Sequence, residues 1–578
     1  MKQLLLFLFI AGSAIAADII LPDALTEGMQ GVGYTVIHGT NIEPFNVTVL
    51  GVLKKARGRS DAILVKVDGL NLDKSGIIAG MSGSPVYFNG KLAGAVSFGW
   101  AYNKEASGGV TPIADMLKIY DRHTAEDSRT GYYFDAKPET KRTADARVRT
   151  SDGMNTSAPL MLSGFNQEVI DLYHDNFRNM GFIPLIGGGT VKAASNAAES
   201  RTFAPGDACA IKLMEGDLNA SGIGTVTATD DKRFLLFGHS MFMKGRLEAP
   251  VSKAYIHAVI PSQQISFKLG TAYGDVLGYT VFDGELGVSG EYGKKDIDMI
   301  PVTFTVAKGG LTNSTRVRII RDASVFPDML ASSLLAVLSA EGTGEEATVH
   351  AAITIQSSYG KPLIMTNLYL TYKSRDAYKA AAQDLLYPVQ MFIFNRFRKL
   401  DIKGVTVDVA VRDDLAYTSV EEVTADKSEY HRGDTMQLNI GLRPNQGERG
   451  YRTMTLTIPA NVRPGTYTVY VGGDGSYDQF QRTFFPALFS VKSIDDIYTM
   501  LSRPLDPRAL NVWMYVSVKG LVMKGREFEL LPASYYGILS KEMTSEKAAV
   551  MNVTRSTAAA PAIVNGSDML SIRIVDDE

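Results

Sequence analysis

The amino-acid sequence predicts a mainly β protein built from several domains. Its 578 residues include 54 glycines, and glycine supplies the turns that connect many short strands. Apolar runs of strand length, separated by glycine turns, occupy residues 18–120, and strictly alternating apolar residues recur from about residue 404. Because the chain is longer than a single hydrophobic core allows, we expect about three to four domains.

The composition is that of a globular protein without an excess of basic residues. Hydrophobic residues make up 45% of the chain and charged residues 21%, which argues against disorder. Lysine and arginine number 59 against 62 acidic residues, a net charge of −3, so nucleic acid is not an expected partner. The one cysteine, Cys209, excludes an internal disulfide, and its apolar neighbours predict a packing role.

The N-terminal residues have the pattern of a secretory signal peptide. Met1-Lys2-Gln3 supplies a positive charge, Leu4 to Ile10 an apolar run, and Ala14-Ile15-Ala16 a small-residue cleavage site. The apolar run is too short to span a membrane, and later apolar segments are interrupted by polar residues. We therefore expect a mature chain that begins near Ala17 and is exported to the periplasm or the medium.

From residue 404 onward the apolar residues alternate with polar ones. One predicted strand carries Val405, Val407, Val409 and Val411 on one face, and the next carries Met436, Leu438, Ile440 and Leu442. Turn signals at Arg432-Gly433-Asp434 and Pro464-Gly465 separate the strands. Strands of this period and spacing predict an immunoglobulin-like β-sandwich over residues 404–491.

The segment Gly80-Met81-Ser82-Gly83-Ser84-Pro85 has the form of a nucleophile loop. Its glycines can adopt positive φ and turn backbone amides toward one point, so the amides of Gly80 and Ser82 could form an oxyanion hole beside the Ser82 hydroxyl. A tight hairpin with an Asn89-Gly90 turn follows the loop. The alternative is a glycine-rich hairpin corner without chemistry.

A serine nucleophile needs a base, and the seven histidines of the chain are the candidates. His239 ends an apolar run and is followed by a turn, which would place its imidazole at the rim of a barrel. The alternative for His239 is a structural, hydrogen-bonded histidine at a strand end. His38, in a different glycine turn, is the rival base, although an exposed turn position fits it better.

The serine loop and its hairpin resemble those of the SpoIVB-type serine peptidases, which carry the same glycine-methionine-serine-glycine-serine-proline string. The family's catalytic histidine lies in a glycine-histidine turn that resembles Gly238-His239. This resemblance implies a chymotrypsin-like double β-barrel with Ser82 as nucleophile and His239 as base. The chain departs from the family by having Ser240 where glycine is common, and by placing the serine before the histidine. A triad is defined by geometry rather than chain order, so this order is compatible with catalysis.

The resemblance also implies an acid that orients the histidine. Asp61, which opens an apolar strand-like run, resembles the acid of trypsin-like enzymes and is the first candidate. Asp68 matches the acid position of the SpoIVB-type family if one residue is shifted, and it is the second. Either aspartate could instead cap a strand turn, and a serine–histidine dyad without an acid stays open.

Two further expectations concern what the site binds. Gly109, Val110 and Thr111 are predicted to lie at a strand edge beyond the hairpin, where an extended peptide could pair with the backbone. The sequence has no zinc-protease motif, cysteine pair, acidic calcium loop or phosphate-binding loop. We therefore expect neither a metal nor another cofactor.

The changes of composition along the chain predict its organisation. The segments are a signal peptide at 1–16, a peptidase barrel with the serine loop at 17–123, a polar linker at 124–158, a barrel with the histidine at 159–305, a mixed α/β connector at 306–403, the sandwich at 404–491, and a helix and strand region at 492–578. The predicted function is an exported serine endopeptidase that cleaves proteins or peptides. The alternative is a catalytically inactive peptide-binding or envelope-organising protein, with the sandwich docking to an envelope partner.

Overall fold

The structure of the protein is a computed structural model. It describes residues 18–57, 60–122, 154–155, 157–188, 201–243, 245–293, 296–342, 346–371, 374–485, 489, 491–503, 505–523, 526–529, 531–541 and 545–576. The predicted signal peptide and most of the predicted polar linker lie outside these residues. Strands account for 51% of the structure and helices for 18%, so the predicted mainly β class is confirmed.

The chain divides into two compact units. The first combines Met1–Thr303 with Thr315–Val337, and the second combines Phe304–Ser314 with Leu338–Glu578. Among the described residues, no helix is both long enough and apolar enough to cross a membrane.

The first ring of the first unit consists of six strands. They are β1 (Gln30–Val36), β2 (Ile42–Arg57), β3 (Ser60–Asp68), β4 (Pro85–Phe88), β5 (Lys91–Trp100) and β6 (Ser107–Pro112). Their order is β4-β1-β2-β3-β6-β5, and β4 also pairs with β5, which closes the ring. The short helices around it are α1 (Leu72–Ser75), α2 (Ile113–Met116) and α3 (Ile119–Arg122), and the two-residue strand β7 (Met154–Asn155) pairs with β5.

Alternating apolar side chains build the core of the first ring. Phe45, Val47 and Val49 of β2 and Ile63, Val65 and Val67 of β3 are each at most 1% exposed. Alternate residues of a strand point to the same face, so these side chains meet in one cluster with Val86 and Phe88 of β4. This interior is apolar, as the sequence pattern of the region predicts.

A second ring of six strands follows in the same unit. The strands of this region are β8 (Ala158–Ser163), β9 (Phe182–Ile186), β10 (Ala208–Gly216), β11 (Asn219–Thr229), β12 (Arg233–Leu236), β13 (Gly245–Arg246), β14 (Pro250–Ile260), β15 (Phe267–Gly284) and β16 (Gly287–Tyr292). The ring order is β10-β14-β15-β16-β12-β11, and pairing of β11 with β10 closes it. The helix α4 (Gln167–Asn179) connects β8 to β9. Two closed rings agree with the predicted double β-barrel.

The chain continues through a hairpin and a buried helix into the second unit. These elements are β17 (Ile300–Lys308), β18 (Leu311–Ile319) and α5 (Phe326–Ala340). The second unit then contains β19 (Ala347–Ser357), β20 (Leu363–Thr371), α6 (Ser374–Ile393), β21 (Ile402–Arg412), β22 (Tyr417–Ala425), β23 (Glu429–Tyr430), β24 (Thr435–Pro444), β25 (Gly450–Thr457), β26 (Gly465–Gly473), α7 (Asp474–Phe484), α8 (Ile494–Leu501), β27 (Ala509–Met523), β28 (Arg526–Glu529), α9 (Ala533–Leu539), β29 (Ser545–Ala559), β30 (Ile563–Asn565) and β31 (Ser567–Ile574).

Two sheets of the second unit share one hydrophobic core. One has the order β25-β24-β22-β30, and the other has the order β23-β31-β26-β27-β28 with β29 beside β27. The second sheet therefore draws on strands after residue 491, beyond the predicted end of the sandwich. The strand β21, with its alternating valines, pairs with β19 instead of joining these sheets. Alternation predicts a strand and its buried face but not its partner, and the immunoglobulin-like topology stays a prediction.

Candidate active site

The serine loop adopts the backbone conformation that its glycines permit. Gly80 has φ +97° and Gly83 has φ +101°, in the region that side chains disfavour. The amides of Ala79, Met81 and Gly83 donate to the carbonyls of Ser266, Ile78 and Val96, at 2.8, 2.9 and 2.8 Å. In the part of the chain that the structure describes, no hydrogen bond has the amide of Gly80 or Ser82 as its donor. From Ala79 to Gly83, amides that donate a hydrogen bond to a described residue thus alternate with amides that do not.

The carbonyl groups of the loop are held by β11 of the second ring. The Thr225 hydroxyl donates to the Gly80 carbonyl at 2.9 Å, and the Thr225 amide donates to the Ser82 carbonyl at 2.9 Å. The Thr227 hydroxyl donates to the Gly83 carbonyl at 2.8 Å. Residues 225 and 227 share one face of the strand, so one strand face fixes three carbonyls of the loop. The second ring therefore sets the orientation of the peptides on both sides of Ser82.

His239 lies in a tight turn directly after β12. Phe237 and Gly238 open the turn with φ values of +68° and +64°, and His239 is fully buried. Its Nδ1 lies 2.7 Å from the carbonyl oxygen of Ser240. A carbonyl oxygen only accepts hydrogen bonds, so Nδ1 carries a proton, and in the neutral ring Nε2 then holds the lone pair. This is the tautomer that a general base acting through Nε2 requires.

The serine loop and the histidine turn pack against each other. A Cβ atom on Gly83 would lie 1.9 Å from the carbonyl oxygen of Thr225 and 2.7 Å from the amide nitrogen of Phe237. The carbonyl of Gly238 in turn accepts a 2.7 Å hydrogen bond from the hydroxyl of Thr111 in the first ring. The residue after Ser82 thus touches the turn that carries His239. The Ser82 hydroxyl itself makes no hydrogen bond to another described residue, and such contacts are often long before substrate binds.

The two predicted acids have partners on the neighbouring strand β2. Asp61 accepts from Lys54 Nζ at 2.9 Å and from the Lys55 amide at 3.0 Å. The hydrogen bond from Lys54 and then that from Lys55 hold the pKa of Asp61 below its ordinary value. Asp68 accepts from Asn46 Nδ2 at 2.6 Å. The role of either aspartate as the acid stays a prediction.

The expected substrate strand at Gly109, Val110 and Thr111 is not at an edge. In β6, Val110 pairs with Ile63 of β3 on one side and with Val96 of β5 on the other. The backbone groups that would bind a peptide are therefore used inside the closed ring. The prediction of an edge is wrong because the sequence pattern of a strand does not tell whether both of its sides are paired.

Two buried charged residues near the serine loop and the histidine turn were not predicted from the sequence. Lys268 of β15 is fully buried, and its stem lies against Gly80, where an added Cβ would be 3.2 Å away. Its Nζ donates to the hydroxyls of Thr35 at 2.8 Å and Thr225 at 3.4 Å. Burial lowers the pKa of Lys268 to about 7. In an alternating strand a lysine is expected on the solvent-facing side, so the sequence pattern gives no sign that Lys268 is buried.

The second missed residue is Asp283, near the end of β15. It is 1% exposed, and its two carboxylate oxygens accept hydrogen bonds from the amides of Met241 at 2.7 Å and Phe242 at 2.6 Å. An aspartate that ends an apolar strand before Gly284 is the one sequence signal that could have drawn attention to it.

The remaining sequence candidates have simpler surroundings. His38 is exposed, and its ring contacts that of Tyr255. Cys209 is fully buried, and burial raises the pKa of its thiol to about 12, which disfavours the nucleophilic thiolate. Ser84 is also fully buried, and its hydroxyl has no hydrogen-bond partner among the described residues. Of the two serines of the loop, only Ser82 is partly exposed.

A pocket of about 140 Å³ opens beside Ser82. Its walls come from the segment before the serine loop, from the end of β5 and from the segment that leads into β15, and they include Ile77, Trp100 and Ser266. Ser82 is itself one of the residues that line the pocket.

A comparison with known families identifies the region around the serine loop. Residues 15–117 match the family model described as SpoIVB peptidase S55. This segment is therefore similar to the SpoIVB peptidases. It contains the first ring and Ser82, whereas His239 lies beyond the matched residues. The chain matches no curated protein and no solved structure.

Proposed function

We propose that the protein is an exported serine endopeptidase in which Ser82 is the nucleophile and His239 the general base. The observation that carries this proposal is the alternation of amides in the serine loop. The amides of Ala79, Met81 and Gly83 bind neighbouring carbonyls, while those of Gly80 and Ser82 are not donors in any hydrogen bond of the described residues. Two such amides on either side of one peptide, next to a serine hydroxyl, suit the oxyanion of an acyl-transfer reaction.

The proposed reaction has two halves. Ser82 Oγ attacks the carbonyl carbon of the scissile peptide bond, and His239 Nε2 takes the hydroxyl proton. The proton passes to the leaving amine as the C–N bond breaks, which leaves an ester on Ser82. Water then attacks the ester, His239 takes a proton from it, and the product acid leaves while the proton returns to Ser82. The amides of Gly80 and Ser82 bind the oxyanion in both halves.

The geometry of the histidine turn supports the proposed role of His239 as the general base. The hydrogen bond from His239 Nδ1 to the Ser240 carbonyl supports the tautomer whose neutral ring has its lone pair on Nε2. The packing of Gly83 against Phe237 brings the serine loop and the histidine turn into contact, and the proposal requires that Oγ and Nε2 meet when substrate binds. Export rests on the N-terminal pattern of residues 1–16.

Labelling with a fluorophosphonate tests the proposal. The wild type is expected to be labelled at Ser82, and Ser82→Ala to lose the label. Ser84→Ala is the matched control, because it removes the buried hydroxyl of the same loop and should keep the label. His239→Ala should slow labelling by a factor of about 100 or more.

Two outcomes contradict the proposal. Label that persists in Ser82→Ala removes Ser82 from its role. A wild type that stays unlabelled while folded, as judged by cooperative unfolding, favours the alternative of a catalytically inactive peptide-binding protein.

A further inference from the structure

The buried carboxylate of Asp283 and the imidazole of His239 bind the same peptide group. Asp283 Oδ1 accepts from the amide of Met241 at 2.7 Å, and His239 Nδ1 donates to the carbonyl of Ser240 at 2.7 Å. The Ser240 carbonyl and the Met241 amide are the two ends of one planar peptide unit. The order of groups is therefore carboxylate, peptide N–H, peptide C=O and imidazole N–H.

Asp283 is buried, and both of its carboxylate oxygens accept hydrogen bonds. A carboxylate that is 1% exposed is costly to bury unless hydrogen bonds satisfy it. The second oxygen accepts from the next amide, that of Phe242, at 2.6 Å. Both oxygens thus bind the segment that directly follows His239, and hydrogen bonds of consecutive donors to one carboxylate are among the stronger ones in proteins.

The shared peptide gives the carboxylate an effect on the imidazole. A negative charge that accepts from the N–H polarises the peptide and makes its carbonyl oxygen a better acceptor, since hydrogen bonds in a chain reinforce each other. The Ser240 carbonyl then holds the Nδ1 proton more firmly and opposes rotation of the ring. This is the task that the acid of a serine peptidase performs by direct contact.

We propose that Asp283 is the acid-equivalent of this site, a positioning residue that fixes the tautomer and orientation of His239 through the Ser240–Met241 peptide. The inference rests on the proposed function only for its effect on catalysis. The two predicted acids, by contrast, accept hydrogen bonds from residues of β2.

The ring nitrogens of His239 report directly on this relay. In nitrogen-15 spectra of histidine-labelled protein, a signal that disappears in His239→Gln identifies His239. We expect the wild type to show the tautomer protonated at Nδ1. In Asp283→Asn, the side-chain NH₂ group faces one of the two backbone amides and cannot accept its hydrogen bond. The negative charge that polarises the Ser240–Met241 peptide is also lost, so we expect a mixture of His239 tautomers.

Asp230 supplies the matched control. Its Oδ1 also accepts from two consecutive amides, those of Lys232 at 2.8 Å and Arg233 at 2.7 Å, at the opposite end of β12 from the histidine turn. Asp230→Asn should leave the His239 signal unchanged. For labelling by the fluorophosphonate, Asp283→Asn should lower the maximal rate by a factor on the order of 100 without changing the probe concentration for half-maximal rate. Asp230→Asn should change neither.

The outcomes separate this inference from the proposed function. An unchanged His239 signal in Asp283→Asn overturns the inference, whether or not the wild type reacts with the probe. An equal effect of Asp230→Asn overturns it too, because the effect would then be general destabilisation. If Asp283→Asn does not fold, Asp283→Glu keeps the charge and displaces the carboxylate by one methylene, and the same comparison of tautomers applies. An unlabelled wild type whose tautomer still depends on Asp283 contradicts only the peptidase proposal.

Discussion

The two strand rings of the first unit have the same number of strands but contribute differently to the serine loop. The first ring has an apolar interior and contributes a loop, with Ser82 at its tip. The region of the second ring buries the polar side chains of Thr225, Thr227, His239, Lys268 and Asp283. Apolar packing makes the first ring a stable base for the loop, and its Val96 carbonyl accepts from the Gly83 amide. The side-chain hydroxyls that hold the loop carbonyls of Gly80 and Gly83 come from the second ring.

This division predicts unequal consequences of substitution in the two rings. A change inside the first ring should lower stability without altering the loop in particular. A change among the hydroxyls of the second ring that bind the loop should alter the loop more than the fold.

Gly83→Ala should have the largest effect, because Gly83 lies where the serine loop packs against the second ring. The new Cβ would lie 1.9 Å from the Thr225 carbonyl oxygen, and the backbone has φ +101°. We expect a loss of about 3 kcal/mol or more in the free energy of unfolding, together with loss of fluorophosphonate labelling. Urea unfolding and labelling rates measure the two effects.

Gly90→Ala is the control for Gly83→Ala. Gly90 has φ +74°, but a Cβ atom there meets nothing within 4 Å. It should cost about 1 kcal/mol from backbone strain alone and leave labelling intact. Equal losses of stability and of labelling in the two variants would show that the positive φ, and not the contact between the rings, causes the effect of Gly83→Ala.

Lys268→Met tests the buried charge of the second ring through the pH dependence of stability. The pKa of Lys268 falls from 10.5 to about 7 on folding, so the unfolded chain binds more protons between these values. The free energy of unfolding contributed by this residue should therefore rise with pH from about 7 to about 10.5, and below about pH 7 the folded state carries the full cost of the buried charge. Lys268→Met should abolish this rise and stabilise the protein near neutral pH by an amount on the order of a few kcal/mol.

Urea unfolding of both proteins across this pH range measures the difference. Lys66→Met, which changes a lysine with a 48% exposed side chain in the first ring, is the control and should leave the pH dependence as it is. Parallel curves for the wild type and Lys268→Met would contradict the lowered pKa.

Thr225→Val should have the smallest effect on stability but a clear effect on labelling. The substitution keeps the shape of the side chain and removes the hydroxyl that donates to the Gly80 carbonyl at 2.9 Å. A buried carbonyl without its donor costs about 1–3 kcal/mol, and the Gly80–Met81 peptide gains freedom to turn. We expect the labelling rate to fall by about tenfold.

Thr229→Val provides the comparison for Thr225→Val. Thr229 lies at the far end of the same strand, and its hydroxyl bonds to the carbonyls of Asp230 and Arg233. A similar loss of stability without a change in labelling is expected there. If both variants label at the wild-type rate, the hydrogen bond to Gly80 does not orient the loop.

Much of the fold follows from local patterns in the sequence. The alternation in β24 predicts its buried face, and the glycines at 80 and 83 predict the positive φ of the serine loop, because both depend on neighbouring residues alone. The partners of β6 and β21 could not be predicted in this way. Pairing is made by backbone groups that every residue shares, so it leaves no mark on the sequence.

The mainly β class and the two chemically distinctive segments, the serine loop and the histidine turn, can be recognised in the amino-acid sequence. The three-dimensional arrangement was needed to show that Thr225 and Thr227 hold the loop, that Lys268 packs against Gly80, and that Asp283 and His239 bind the same peptide group. These contacts join residues far apart in the chain, most of them through backbone carbonyls and amides. Whether a polar side chain is buried beside such a group depends on how the strands close into rings, and no local pattern encodes that closure.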